Sequence, residues 1–125
     1  MTPLVFAVVA LAGGVGAVAR FALDGFISSR FAGSLPLGTI AINLSGSLVL
    51  GLLAGFGAGA LPHEWMLVLG TGFVGGYTTF STASFQTVHL LQERKWIAAL
   101  LNGLIQLVAA TALAAFGVWL GALLV

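Results

Sequence analysis

The sequence predicts an all-α integral membrane protein with four transmembrane helices, and three observations predict it. Only 6% of the 125 residues are charged and 60% are hydrophobic. A domain of this size in water carries roughly 25% charged residues, so lipid must be the solvent for most of the chain. The charges also cluster: Met1–Ala19, Phe31–His63, Trp65–Gln92 and Trp96–Val125 contain no Asp, Glu, Lys or Arg. The alternation of apolar and polar residues in segments of about ten, which a membrane barrel would require, is absent.

A helix needs about 20 mostly apolar residues to cross a hydrocarbon core about 30 Å thick. The charge-free runs give spans at about Leu4–Phe26, Gly38–Gly59, Trp65–Leu91 and Trp96–Leu124. The connections are short. Ser28–Leu37 holds Gly33, Ser34 and Pro36, Ala60–Glu64 holds Pro62, and Gln92–Lys95 is a charged turn; these are turn-forming residue types. Residues 1–125 read as one membrane domain with no room for a soluble domain or lid. Ala10-Leu11-Ala12 resembles a cleavage site, but no positive stretch precedes it, which argues against a cleaved signal peptide. There is no cysteine, so disulfides are excluded. The net charge of +1 gives no nucleic-acid signal.

Arg30, Arg94 and Lys95 lie in the loops after spans one and three, on one side of the membrane. The positive-inside rule then puts both termini outside. Gly51, Gly55 and Gly59 on span two, and Gly117 and Gly121 on span four, recur every four residues. Such spacing lets helices approach closely in lipid, within one chain or between chains.

Polar groups inside a membrane are costly and mostly face a bundle interior or a watery cavity. On span two, Thr39, Asn43 and Ser47 share a face by i, i+4 spacing. Asn43 offers two donors and an acceptor, for a passing ion or for an interhelical bond. Span three contains Gly72-Phe-Val-Gly75-Gly76-Tyr77-Thr78-Thr79-Phe80-Ser81-Thr82-Ala83-Ser84. Adjacent glycines followed by hydroxyl residues are poor continuous helix and predict a third helix broken mid-span. A break frees carbonyls at the end of one half-helix and N–H groups at the start of the next; the carbonyls suit a cation and the N–H groups an anion. Phe80 lies in this stretch, and its ring edges carry positive character that could support a small anion; packing or lipid contact is the competing role. Arg20 and Asp24 are spaced for an i, i+4 ion pair, or Arg20 concentrates anions at a pore mouth. On span four Asn102, Gln106 and Thr111 are polar, and Asn102 and Gln106 share a face. No acid–base pair, nucleophile triad or metal-ligand spacing is present, so no enzymatic chemistry is expected.

The segments Gly13-Gly14-Val-Gly16-Ala-Val-Ala-Arg20 of span one, Gly38-Thr39-Ile-Ala-Ile-Asn43-Leu-Ser-Gly46 of span two and Gly72 to Thr82 of span three together resemble the Fluc (CrcB) family of small fluoride channels. The resemblance covers the whole chain. It implies a fluoride-selective channel subunit of the cell membrane, in a bacterial inner membrane, allowing passive fluoride export. It further implies an antiparallel dimer with two pores and a structural sodium ion at its centre, held by the backbone carbonyls of Gly75 and Thr78. It assigns Asn43 as an amide donor along the pore, Phe80 as a pore-facing ring, Ser81 and Thr82 as hydroxyl donors, and Arg20 to the vestibule; Thr39 and Gln106 join the pathway. Fluoride holds water strongly, so neutral donors must replace that water without trapping the ion.

Three departures stand against the pattern: Ala83 where many members carry a second Phe, Gln86 where a Glu is common, and Ala110 and Ala114 where pore hydroxyls align. An oriented chain lacking some pore residues would suit a heterodimer with an oppositely inserted homologue, against a dual-topology homodimer. Two further alternatives are a small multidrug-type proton-coupled exporter, which needs a mid-span acid, and a structural, non-conducting partner subunit.

Overall fold

The computed structural model describes all residues, Met1–Val125, and is helical throughout with no strand. Helix α1 spans Pro3–Arg30. Thr2 caps it, its Oγ1 accepting from Val5 N at 3.2 Å, and Pro3 occupies the first turn, where its missing N–H has no cost. The helix outruns the expected end near Phe26 because the serines reinforce it. Ser28 Oγ donates to Asp24 Oδ1 at 3.2 Å and Ser29 Oγ to Phe26 O at 2.8 Å, while the Arg30 guanidinium sits 4.9 Å from the Phe26 ring centre. Helix α2 spans Leu37–Ala60. Helix α3 covers residues 63–77 and contains a π-helical stretch, Leu67–Val74; His63 and Glu64, expected in the preceding loop, open it. Helix α4 is Phe80–Gln92. Helix α5 is Trp96–Leu123, with a second π-helical stretch at Ile105–Ala109. Only α1, α2 and α5 are individually long and apolar enough to cross a membrane. At 1.5 Å per residue they are about 36–42 Å long.

Packing follows the small residues. A side chain at Gly51 or Gly55 of α2 would collide with the backbone of Ala114 or Val118 of α5. Gly117 and Gly121 of α5 press equally against the backbone at Leu48 and Leu52 of α2. The two glycine rows therefore face each other within one chain. On the other side, Gly16 of α1 abuts Phe73 O, and Gly76 of α3 abuts Gly13 O. Close approach is what holds helices together where lipid removes the hydrophobic incentive.

Only 17 of the 125 residues are buried, whereas Leu4, Phe21, Phe80, Ile97 and Trp119 are among many exposed large apolar side chains. So much contiguous apolar surface is incompatible with water and is what a multi-pass membrane protein presents to lipid. The short buried set includes two polar residues, Thr39 and Asn102.

Candidate functional site

Between α3 and α4 the backbone leaves the helical region for two residues. Thr78 has φ −82°, ψ 159° and Thr79 φ −147°, ψ 123°, the latter close to antiparallel-strand values. Sequence explains the location. Gly75 and Gly76 weaken the helix before it, and β-branched threonines accept extended backbone readily. An extended residue turns its own N–H and C=O to the same side. Asn43 of α2 meets both: Thr79 N–H donates to Asn43 Oδ1 at 2.9 Å, and Asn43 Nδ2 donates to Thr79 O at 2.8 Å. One side-chain amide thus pairs with one peptide residue as a neighbouring strand would. Thr79 Oγ1 then caps α4, accepting from Thr82 N at 3.2 Å.

This pairing redirects donors. In a continuous helix Thr79 N–H would donate to Gly75 O and Thr82 N–H to Thr78 O; here they serve Asn43 and the Thr79 hydroxyl. The carbonyls of Gly75 and Thr78 lose their helical donors.

The second N–H of Asn43 starts a chain. Asn43 Nδ2 donates to Gln106 Oε1 at 2.9 Å, Gln106 Nε2 to Asn102 Oδ1 at 3.4 Å, and Asn102 Nδ2 to Thr87 Oγ1 at 2.7 Å. Thr87 Oγ1 closes it on Ala83 O at 2.9 Å. The chain has a fixed direction. Reversing the Asn43 amide would set Nδ2 against the Thr79 N–H and Oδ1 against the Thr79 carbonyl, so the backbone of one residue dictates every orientation after it.

Two cavities flank Thr79. The larger, 480 Å³, is lined by Asn43, Thr78, Phe80, Gln106 and the hydroxyls of Ser47 and Ser84, which none of these bonds engages. No charged side chain lines it. The smaller, 170 Å³, holds Arg20, Asp24, Thr39 and Thr82. The Arg20–Asp24 spacing does not produce an ion pair. Asp24 packs over the bare Cα of Gly38 and accepts from Ser28, which leaves Arg20 Nε buried without a partner.

The structure therefore gathers Asn43, Phe80 and Gln106 at one cavity and Arg20, Thr39 and Thr82 at the other. Ser81 lines neither; its hydroxyl lies 3.4 Å from Thr79 Oγ1. Gly75 is exposed and Phe80 is 87% exposed. Sequence reasoning put Asn43 among pathway donors, whereas both its N–H groups are engaged within the chain. It missed Thr79, the hub, although its hydroxyl-rich context was visible. It also left out Thr87, whose only signal is its spacing of eight from Thr79. Thr111, polar in sequence, merely bonds back to Leu107 O at 2.6 Å.

A family model described as CrcB-like protein, Camphor Resistance (CrcB) matches residues 7–118. The chain is 56% identical over 126 residues to "Fluoride-specific ion channel FluC 1" of Leifsonia xyli subsp. xyli, covering 100% of this chain and 92% of that protein. It is 41% identical over 120 residues to "Fluoride-specific ion channel FluC 2" of Mycobacterium tuberculosis, covering 96% and 93%. It is 40% identical over 114 residues to "Fluoride-specific ion channel FluC" of Syntrophotalea carbinolica, covering 90% and 93%.

Proposed function

The chain belongs to the CrcB-like protein family, and on that premise we propose that it is a subunit of a fluoride-selective channel through which fluoride leaves the cell passively. One observation carries the reading beyond membership: beside the extended residues of the third span lies an uncharged cavity, apolar over most of its wall, whose polar lining residues are all amides and hydroxyls. Neutral donors can replace the water of a small anion without the fixed charge that would hold it. Arg20, beside Asp24 and Thr82 at the neighbouring cavity, stands at the vestibule. Thr39 and Ser81 complete the pathway, with Asn43, Phe80 and Gln106 at its centre. The membrane is the cell membrane, the bacterial inner membrane by family.

Residues 63–92 make the third crossing as one helix broken at Thr78–Thr79. Broken backbone is not tolerated against lipid, yet Gly75 and Phe80 are exposed on the single chain. A second chain covering them satisfies that constraint, in the antiparallel dimer typical of the family. The freed carbonyls of Gly75 and Thr78 fit the family's sodium ion, because unwound backbone at the end of a half-helix offers neutral oxygen ligands to sodium. From each of two chains they would bind the ion and tie the subunits together. The partner is either a second copy or a homologue inserted the opposite way; Ala83 and the loop charges Arg30, Arg94 and Lys95 favour the homologue.

A proton-coupled exporter needs a buried acid at mid-span, and Asp24 lies in the last two turns of α1 while Glu64 and Glu93 lie at span ends. Liposomes carrying this chain and loaded with potassium fluoride, opened to potassium by an ionophore, test the proposal with an external fluoride electrode. Rapid fluoride efflux with chloride retained in a matched assay is expected. Retention of fluoride by the verified folded chain, alone and with an oppositely oriented homologue, would overturn it and favour a structural role.

A further inference from the structure

We propose that Gln106 decides which anions pass, because its carboxamide oxygen competes with the ion for the one releasable N–H of Asn43. The inference rests on the channel reading above and gives that site a selectivity device of this chain's own.

Asn43 is fixed by Thr79. Its Oδ1 and one N–H pair with that residue's peptide groups at 2.9 and 2.8 Å, and reversal would oppose donor to donor and acceptor to acceptor. Only the second N–H, which Gln106 Oε1 accepts at 2.9 Å, can be offered to an ion. Gln106 is the movable member of the pair. Its other bond, Nε2 to Asn102 Oδ1, is 3.4 Å long, beyond the usual range for such bonds. The terminal torsion of glutamine is broad and soft. Gln106 lines the larger cavity and lies in the π-helical stretch Ile105–Ala109, a geometry frequent at functional sites. Asn102, in contrast, is 0% exposed and holds Thr87 at 2.7 Å.

An anion reaching Asn43 must displace an amide oxygen already bonded there. Fluoride, small and a strong acceptor, does so; chloride, larger and weaker, leaves Asn43 with Gln106. Once displaced, the Gln106 carboxamide turns half a rotation and presents Nε2, so that two amides donate to the ion. The turn also brings Oε1 toward Asn102 Oδ1, acceptor against acceptor. That opposition returns Gln106 to rest when the ion leaves, which meets the requirement that binding be weak enough for exit.

The test follows the side-chain amide of Gln106 by ¹⁵N–¹H spectroscopy, in the full chain in lipid nanodiscs titrated with sodium fluoride or sodium chloride. The chain has three glutamines, Gln86, Gln92 and Gln106, so the assignment is tractable. The Gln106 pair is expected to move with fluoride and stay with chloride. No movement with fluoride, or equal movement with both, overturns the proposal. Flux supplies a second readout. Gln106→Met, which frees the Asn43 N–H, is expected to lower fluoride-over-chloride selectivity at least tenfold. Gln106→Glu, which accepts but cannot donate when ionised, is expected to lower fluoride efflux at least tenfold at neutral pH. Unchanged selectivity in folded Gln106→Met overturns the role of Gln106 alone; absent fluoride flux in the wild-type chain, alone and with a homologue, overturns the channel reading instead.

Discussion

Replacing Asn43 by Leu is the perturbation whose size the structure fixes best. Leucine has nearly the same volume and suits the apolar surroundings, so packing survives while three hydrogen bonds disappear: from Thr79 N, to Thr79 O and to Gln106 Oε1. Interhelical hydrogen bonds in membranes average about 0.6 kcal/mol and reach about 1.7, which gives roughly 2 kcal/mol for three. The Thr79 N–H and the Gln106 oxygen are then left without partners, at about 1–3 kcal/mol each if they remain buried. The expected loss is therefore about 2 kcal/mol if the freed groups find new partners and about 4–8 kcal/mol if both stay buried. Reversible unfolding in mixed micelles measures the total, and amide exchange at Thr79 localises it. A loss of about 2 kcal/mol corresponds to roughly thirtyfold faster exchange there if the local opening reflects it fully. A change below about 0.5 kcal/mol with Thr79 protection intact would refute the stabilising role of the Asn43–Thr79 pairing.

Three further outcomes follow from the packing. Gly55→Val drives a side chain into the backbone of Val118 and Ala122 and should cost about 1–3 kcal/mol in the same unfolding assay; Gly14→Ala, which meets nothing within 4 Å, should be neutral or stabilising by up to about 1 kcal/mol. Thr79→Val keeps the β-branched shape but removes the oxygen that accepts from Thr82 N. A cost of about 0.5–2 kcal/mol is expected, with faster exchange at Thr82. Arg94 sits at φ 58°, a left-handed conformation costing roughly 1–2 kcal/mol for a residue with a side chain. Arg94→Gly should raise stability slightly, since the entropy lost by glycine offsets about half of that. It also removes one of three loop charges, so labelling of a terminal cysteine should show a more mixed orientation than in the parent.

The first, second and fourth spans were readable because charge-free runs of sufficient length have few alternatives in a chain this apolar. The end of α1 was misplaced because Ser28 and Ser29 look like loop residues until their hydroxyls bond back to the helix. The glycine rows on spans two and four were visible, but their meeting within one chain depends on how the helices pack. Asn43 stood out by cost alone. Its pairing with Thr79 did not, because it needs residues 36 apart in sequence and an extended backbone that local pattern suggests without positioning. The failed Arg20–Asp24 pair has the same origin: Gly38, on another helix, offers the acid a closer seat. The π-helical turn that carries Gln106 leaves no mark in composition at all.

Passive, selective conduction is tested most directly in a planar bilayer. With a tenfold fluoride gradient, equal chloride on both sides and the subunits that pass fluoride in liposomes, the current should reverse near the fluoride equilibrium potential, about 59 mV per tenfold for a single charge. It should stay there when a proton gradient is added. A reversal potential that moves with the proton gradient, or lies near zero because chloride carries the current, would contradict it.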